Sequence, residues 1–159
     1  MSLFDRLAAG PGQLQSQDYD DWNQMVGTAP PEHFGRAAYE AVRQTDPRAY
    51  YEHTQPGVGG TDPFGSLPTD RRAGLAQSLL GELSRRGLGQ QDIARGAGVQ
   101  QFDPSQMSPR ELAALAQWTQ QQQPKAFGRV AAQHQREPDV LSSLLGNTAL
   151  QTLLGGLGR

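Results

Sequence analysis

Apolar residues recur along this chain at intervals of three and four, the period of one helix face. No stretch alternates apolar and polar residues as a half-buried strand would. Phe34, Ala37, Ala38, Ala41 and Val42 make one such face. Ala73, Leu75, Ala76, Leu79, Leu80 and Leu83 make a second, with Arg71 and Arg85 on the other side. Leu112, Ala113, Leu115, Ala116 and Trp118 make a third. A broad stripe of Val140, Leu141, Leu144, Leu145, Leu150, Leu153, Leu154 and Leu157 closes the chain. Shorter patterns run over Leu3, Phe4 and Leu7, from Trp22 to Met25, and from Gln90 to Ala97. The pattern predicts an all-α, compact protein of roughly seven to nine short helices.

Local signals mark the ends of these helices. Ser16 or Asp18 suits the start of the helix through Trp22. Pro31 and Pro109 fit a first turn, where the missing N–H has no helical partner anyway. Ser108 and Glu111 have the spacing of a capping box, and Thr69 is a plausible cap for the Ala73–Leu83 helix. Gly87 is placed to end that helix. Asp46-Pro47 stops the helix that begins at Pro31 and opens another through Tyr50 and Tyr51.

From 55 to 68 the pattern breaks into glycine and proline, which cannot continue a helix. We expect an irregular but ordered loop there, pinned by Phe64, because a pure linker seldom carries a phenylalanine and a valine. It separates an N-terminal helical part, 1–54, from a C-terminal helical part, 69–159, which can still pack as one domain. Charge follows the same division. Residues 1–65 carry four Arg against nine Asp and Glu, a net −5, and residues 66–159 carry ten Lys and Arg against seven Asp and Glu, a net +3. Two such parts attract, within one molecule or head to tail between copies.

One frame occurs twice. Pro31-Glu32-His33-Phe34-Gly35-Arg36 is followed by Ala38 and Arg43; Pro124-Lys125-Ala126-Phe127-Gly128-Arg129 is followed at the same offsets by Ala131 and Arg136. Trp22 and Trp118 precede the two copies. A helix carrying this frame would pack Phe inward, let a neighbour approach at Gly, and send Arg to the flank. The expectation is a helical pseudo-repeat, with coincidence at two helix starts as the alternative.

Composition narrows the chemistry. The 159 residues suffice for one core, yet only 36% are hydrophobic, which favours stabilisation by self-association. There is no cysteine, so disulfides and thiolate metal sites are excluded. No apolar run approaches the roughly 20 residues of a membrane span, and the first residues lack a secretory pattern, so the expectation is a cytoplasmic protein with no integral membrane segment. His33, His53 and His134 have no metal-binding spacing, and Asp18, Asp20 and Asp21 are adequately explained as acids at a helix start. No phosphate loop, dinucleotide fingerprint or nucleophile elbow occurs, and no cofactor is expected.

Gln90, Ile93, Ala94, Gly98 and Val99, within Arg86–Val99, carry one resemblance. This run resembles the first half of the helix-turn-helix of phage-repressor-like DNA-binding domains. There a Gln opens the second helix, an aliphatic-Ala pair packs it, and Gly-Val makes the turn. The resemblance implies contact with nucleic acid, in which Arg71, Arg72, Arg85, Arg86, Gln90 and Arg95 would meet the DNA. The chain departs from that pattern after Val99, where Gln100-Gln101-Phe102-Asp103-Pro104 has no basic residue and Pro104 opposes a recognition helix.

Three functional readings follow. The leading one is a non-enzymatic interaction or self-assembly protein, whose partner is a second copy or another protein. It would associate through Leu144, Leu145, Leu150, Leu153, Leu154 and Leu157; the polar side of that stripe is too poor in Lys and Arg for a lipid surface. The alternative is DNA binding through Gln90–Val99. The third is an enzyme with a scattered site near Tyr50, Tyr51 and His53.

Overall fold

A computed structural model describes residues 14–26, 29–46, 48, 64–65, 67–145 and 147–157, and every regular element among them is a helix. There are eight: α1 Ser16–Val26, α2 Pro31–Gln44, α3 Thr69–Arg85, α4 Gln90–Ala97, α5 Pro109–Gln122, α6 Pro124–Gln133, α7 Pro138–Leu145 and α8 Asn147–Leu157. The protein is all-α, as the apolar spacing implies. No helix among the described residues is long and apolar enough to cross a membrane.

Several helix ends are written in the local sequence. Pro31 and Pro109 occupy first turns. Ser108 Oγ accepts a bond from the Glu111 backbone N–H at 3.2 Å, which satisfies one of the orphan donors of α5. At the end of α3, Gly87 takes φ 84°, a left-handed conformation that costs glycine nothing. Its N–H donates to the Ser84 carbonyl at 3.0 Å, and the Leu88 N–H reaches back to Leu83 at 3.1 Å. That paired closure is the Schellman arrangement. Thr69 differs from its expected role: it is the first residue of α3, and Pro68 holds the cap position with no side-chain bond to offer.

The core lies where α6 meets its neighbours. α6 packs against α2, α3 and α5, while α2 also packs against α8 and α7 touches α3 and α8. Trp22, Phe34, Phe64 and Phe127 are among its largest fully buried side chains. Burying each ring contributes about 1.5–3 kcal/mol relative to exposure. Phe64 is the member of the 55–68 segment that reaches the core, joined by Leu67; residues 55–63 and 66 lie outside the described residues.

The interior also takes polar groups, several of which bond across the chain. The Trp22 indole N–H donates to the Gln135 carbonyl at 2.7 Å. The Gln135 amide in turn donates to the carbonyls of Val26 at 2.6 Å and Ala29 at 3.0 Å. This pins α1 to the turn that follows α6. Asp139, almost fully buried, receives the Arg71 guanidinium at 2.8 Å, and the same guanidinium lies over the Tyr19 ring at 5.5 Å. Burial, with the Asp139 charge next in weight, raises the Tyr19 phenol above its ordinary pKa.

Candidate functional site

The two Phe-Gly-Arg frames meet face to face. Phe34 lies on α2 and Phe127 on α6, and both are buried. Gly35 and Gly128 pass so closely that a Cβ on either would press on the other's carbonyl oxygen. For Gly35 that approach would be 3.1 Å; for Gly128 the two atoms would overlap. The contacts are reciprocal one turn further on. Gly35 faces the Cβ of Ala132, and Gly128 faces the Cβ of Tyr39, each four residues beyond the opposing glycine. Small residues on both helices allow this seam, because a side chain at either position would hold the backbones apart.

A groove of about 970 Å³ opens beside the seam. Its walls come from α2 (Pro31, Glu32, Gly35, Arg36, Tyr39, Glu40), the end of α3 (Glu82, Arg85, Arg86) and α6 (Lys125, Arg129, Ala132, Gln133). Five cations and three carboxylates line it. The carboxylates are partly committed. Glu82, almost fully buried, accepts from Arg85 at 3.1 Å and from Gln133 at 2.8 Å. Glu40 pairs with Arg43 at 3.3 Å. Arg36, Arg86, Lys125 and Arg129 are exposed, and among the described residues none of them is in an ion pair.

Backbone electrostatics add to this field. Lys125 stands in the first turn of α6, which has no acidic residue and no side-chain cap. A cation there opposes the helix dipole, at a cost of about 0.3–1 kcal/mol. Glu32, at the matching position of α2, is favourably placed. The groove is therefore short of negative charge, and an entering carboxylate or other anion would meet guanidinium forks suited to bidentate pairing.

The residues singled out from sequence lie in several places. Leu144, Leu145, Leu150 and Leu153 are buried in the chain's own core, and Leu154 is partly buried against it. An interface made through these buried side chains would require the core to open. The Leu157 side chain lies outside the described residues, as do Tyr50, Tyr51 and His53. Of the six residues suggested for DNA, Arg85 and Arg86 line the groove. Arg71 is engaged with Asp139 and Glu137 at the opposite end of α3, and Arg72 donates to the Phe64 carbonyl at 3.4 Å. Gln90 and Arg95 are exposed on α4.

After Val99, which is buried, no helix begins until Pro109. The Glu111 carboxylate ties down the intervening chain by accepting the backbone N–H groups of Gln100 at 3.1 Å and Gln101 at 3.0 Å. Slight burial pushes the Glu111 pKa up, but these bonds and those from Ser108 outweigh it and hold the carboxyl below its usual range. Gln100–Gln101 is thus an anchored connection where a repressor would place its recognition helix.

One polar chain was invisible in the sequence. Ser78 Oγ lies 2.9 Å from His134 Nε2, and His134 Nδ1 lies 3.2 Å from Glu137 Oε1. The order Ser–His–Glu is that of a nucleophile relay. Among the described residues, other features of a hydrolytic site do not accompany it. Ser78 is in mid-helix, where neighbouring N–H groups serve the helix ladder rather than an oxyanion. Neither the groove nor the smaller hollow at Gly98, Gln100, Gln101 and Glu111 reaches these three residues. The chain joins α3 to the turn after α6 and acts as a polar pin.

No family model matches this chain, and neither a curated protein nor a solved structure was found that matches it.

Proposed function

We propose that the protein is a non-enzymatic interaction protein that receives an acidic polypeptide segment in the groove between α2, α3 and α6. One observation carries this reading: Arg36, Arg86, Lys125 and Arg129 surround a single hollow without carboxylate partners among the described residues. The lining of the hollow also includes Gly35, Ala132 and Pro31, which offer apolar contact to a side chain entering between the cations. A mixed segment, acidic with an occasional apolar residue, suits both features.

Polypeptide is favoured over duplex DNA on geometry. Arg71 and Arg72 are engaged away from the groove, so the arginines do not form one track along a backbone.

The test is fluorescence anisotropy of a labelled oligoglutamate titrated with the protein at low and high salt. Binding should weaken as salt rises and should be lost in Arg36→Glu/Arg129→Glu. A labelled DNA duplex serves as competitor. Tighter binding of the duplex, or indifference of oligoglutamate to the two substitutions, overturns the reading.

A further inference from the structure

We infer that the segment entering the groove is α1 of a second copy of this chain, giving head-to-tail assembly. This rests on the groove reading above and adds the identity of the partner. The exposed side of α1, away from the buried Trp22 and Val26, carries Gln17, Asp20 and Gln24, with Asp21 and Met25 one turn apart on its flank. Met25 is 47% exposed, and it is the large apolar side chain that the described surface leaves in solvent. Asp21 one turn from Met25, with Asp20 as a further, exposed carboxylate, suits a groove lined by cations and a few small apolar residues. The Asp pair would meet Arg36 and Arg129, and Met25, flexible and polarizable, would lie over Gly35 and Ala132.

α1 is fixed to its own chain by its inner face. α1 is held at the N-terminal end of α3, where Arg71 lies over Tyr19, and to the turn after α6 through Gln135. The groove includes Arg85 and Arg86, at the other end of α3. Along a helix of 17 residues those ends are about 21 Å apart from Arg71 to Arg85. The outward face of α1 lies opposite the Trp22 and Val26 side that faces its own core, and is available to another copy. Two different patches pairing in this way make a heterologous contact, which propagates from copy to copy unless a ring closes.

The experiment is sedimentation velocity over a concentration series on the full chain and two charge-reversed variants, with far-UV circular dichroism as the folding control. Arg36→Glu/Arg129→Glu blocks the groove and leaves α1 intact; Asp20→Lys/Asp21→Lys does the opposite. The wild type should grow in mass with concentration at low salt and return toward monomer at high salt. Each variant alone should be monomeric, and their equimolar mixture should regain growth with concentration, because the reversed groove of one variant suits the reversed α1 of the other just as the native groove suits the native α1. The neutral pairs Arg36→Gln/Arg129→Gln and Asp20→Asn/Asp21→Asn, which also stand in if a reversed variant loses helicity, should when mixed stop at twice the monomer mass, because only one productive contact remains. A wild type that stays monomeric at low salt, assembly that survives either variant, or a mixture that stays monomeric overturns the inference. Oligoglutamate binding by Asp20→Lys/Asp21→Lys, whose groove is intact, separates the two ideas. If it binds while the wild type is monomeric, the groove reading stands and this inference falls; if it does not bind, both fall.

Discussion

The two Pro-x-x-Phe-Gly-Arg frames differ less in their letters than in their surroundings. In α2 the residue after Pro31 is Glu32, which suits a helix start, and His33 is exposed. In α6 the matching residues are Lys125, which opposes the dipole, and Ala126, which is buried. α6 packs on three helices, α2, α3 and α5, whereas α2 packs on α6 and α8. The frame sets a helix start, an inward ring and a flat crossing point. Position in the assembly then decides which copy is central and which copy has an electrostatic requirement left over. That requirement, at Lys125 and its neighbours, coincides with the groove.

The sharpest break of this comparison is removal of the paired rings. Phe127→Ala should cost about 3–5 kcal/mol in urea unfolding, and Phe34→Ala should fall at or below the lower end of that range. Equal losses would show that the central place of α6 carries no extra stability. Next come the glycines. Gly128→Ala should cost about 1–3 kcal/mol, because its Cβ overlaps the Gly35 carbonyl, and Gly35→Ala should cost less, since 3.1 Å asks for only a small shift. A reversed order would mean that α2 yields more readily than α6.

The preceding tryptophans extend the contrast. Trp22→Phe leaves the buried Gln135 carbonyl without its donor and should cost about 1–3 kcal/mol. Trp118 is partly buried with its indole against Gly96, so that any Cβ there would collide with the ring. Trp118→Phe should be milder, and Gly96→Ala should displace the indole and change its fluorescence.

Helix starts sharpen the electrostatic side. α5 has an acid in its first turn and α6 has none. Glu111→Gln should cost about 0.5–1.5 kcal/mol at neutral pH by weakening the bonds from Gln100 and Gln101. Because the folded-state pKa of Glu111 is lowered, its contribution is complete above the ordinary carboxylate range and disappears as pH falls through the lowered value. Stability followed against pH should therefore drop less steeply on the acid side in the Gln variant. The smallest effect belongs to Lys125→Glu, which should raise stability by about 0.3–1 kcal/mol while weakening oligoglutamate binding. A variant that gains stability and keeps its affinity would remove Lys125 from the groove's function.

Much of the helical framework was legible because its causes are local. Pro31, Pro109, Ser108, Glu111 and Gly87 act within a turn or two of their own positions, so reading them needs no knowledge of the rest of the chain. Pro104 likewise signalled that no recognition helix follows Val99. The leucine stripe shows where such reading stops. A period of 3.6 says that a face is covered; it does not say whether the cover is α2 and α3 of the same chain or another molecule. Leu144, Leu150 and Leu153 are covered internally. The Ser78–His134–Glu137 chain gave no signal, since its members are 56 residues apart at the first bond.

Sequence alone determined that this protein is built from short helices, where several of them begin and end, and that one frame is used at two of those starts. Only the tertiary structure decided that the two frames press glycine against glycine, that their arginines share one groove, and that most of the C-terminal leucines face inward. The reason is range. Caps, turns and apolar period are settled by atoms a few residues apart, whereas a groove is made of side chains from Arg36, Arg86 and Arg129, brought together by packing between helices distant in the chain.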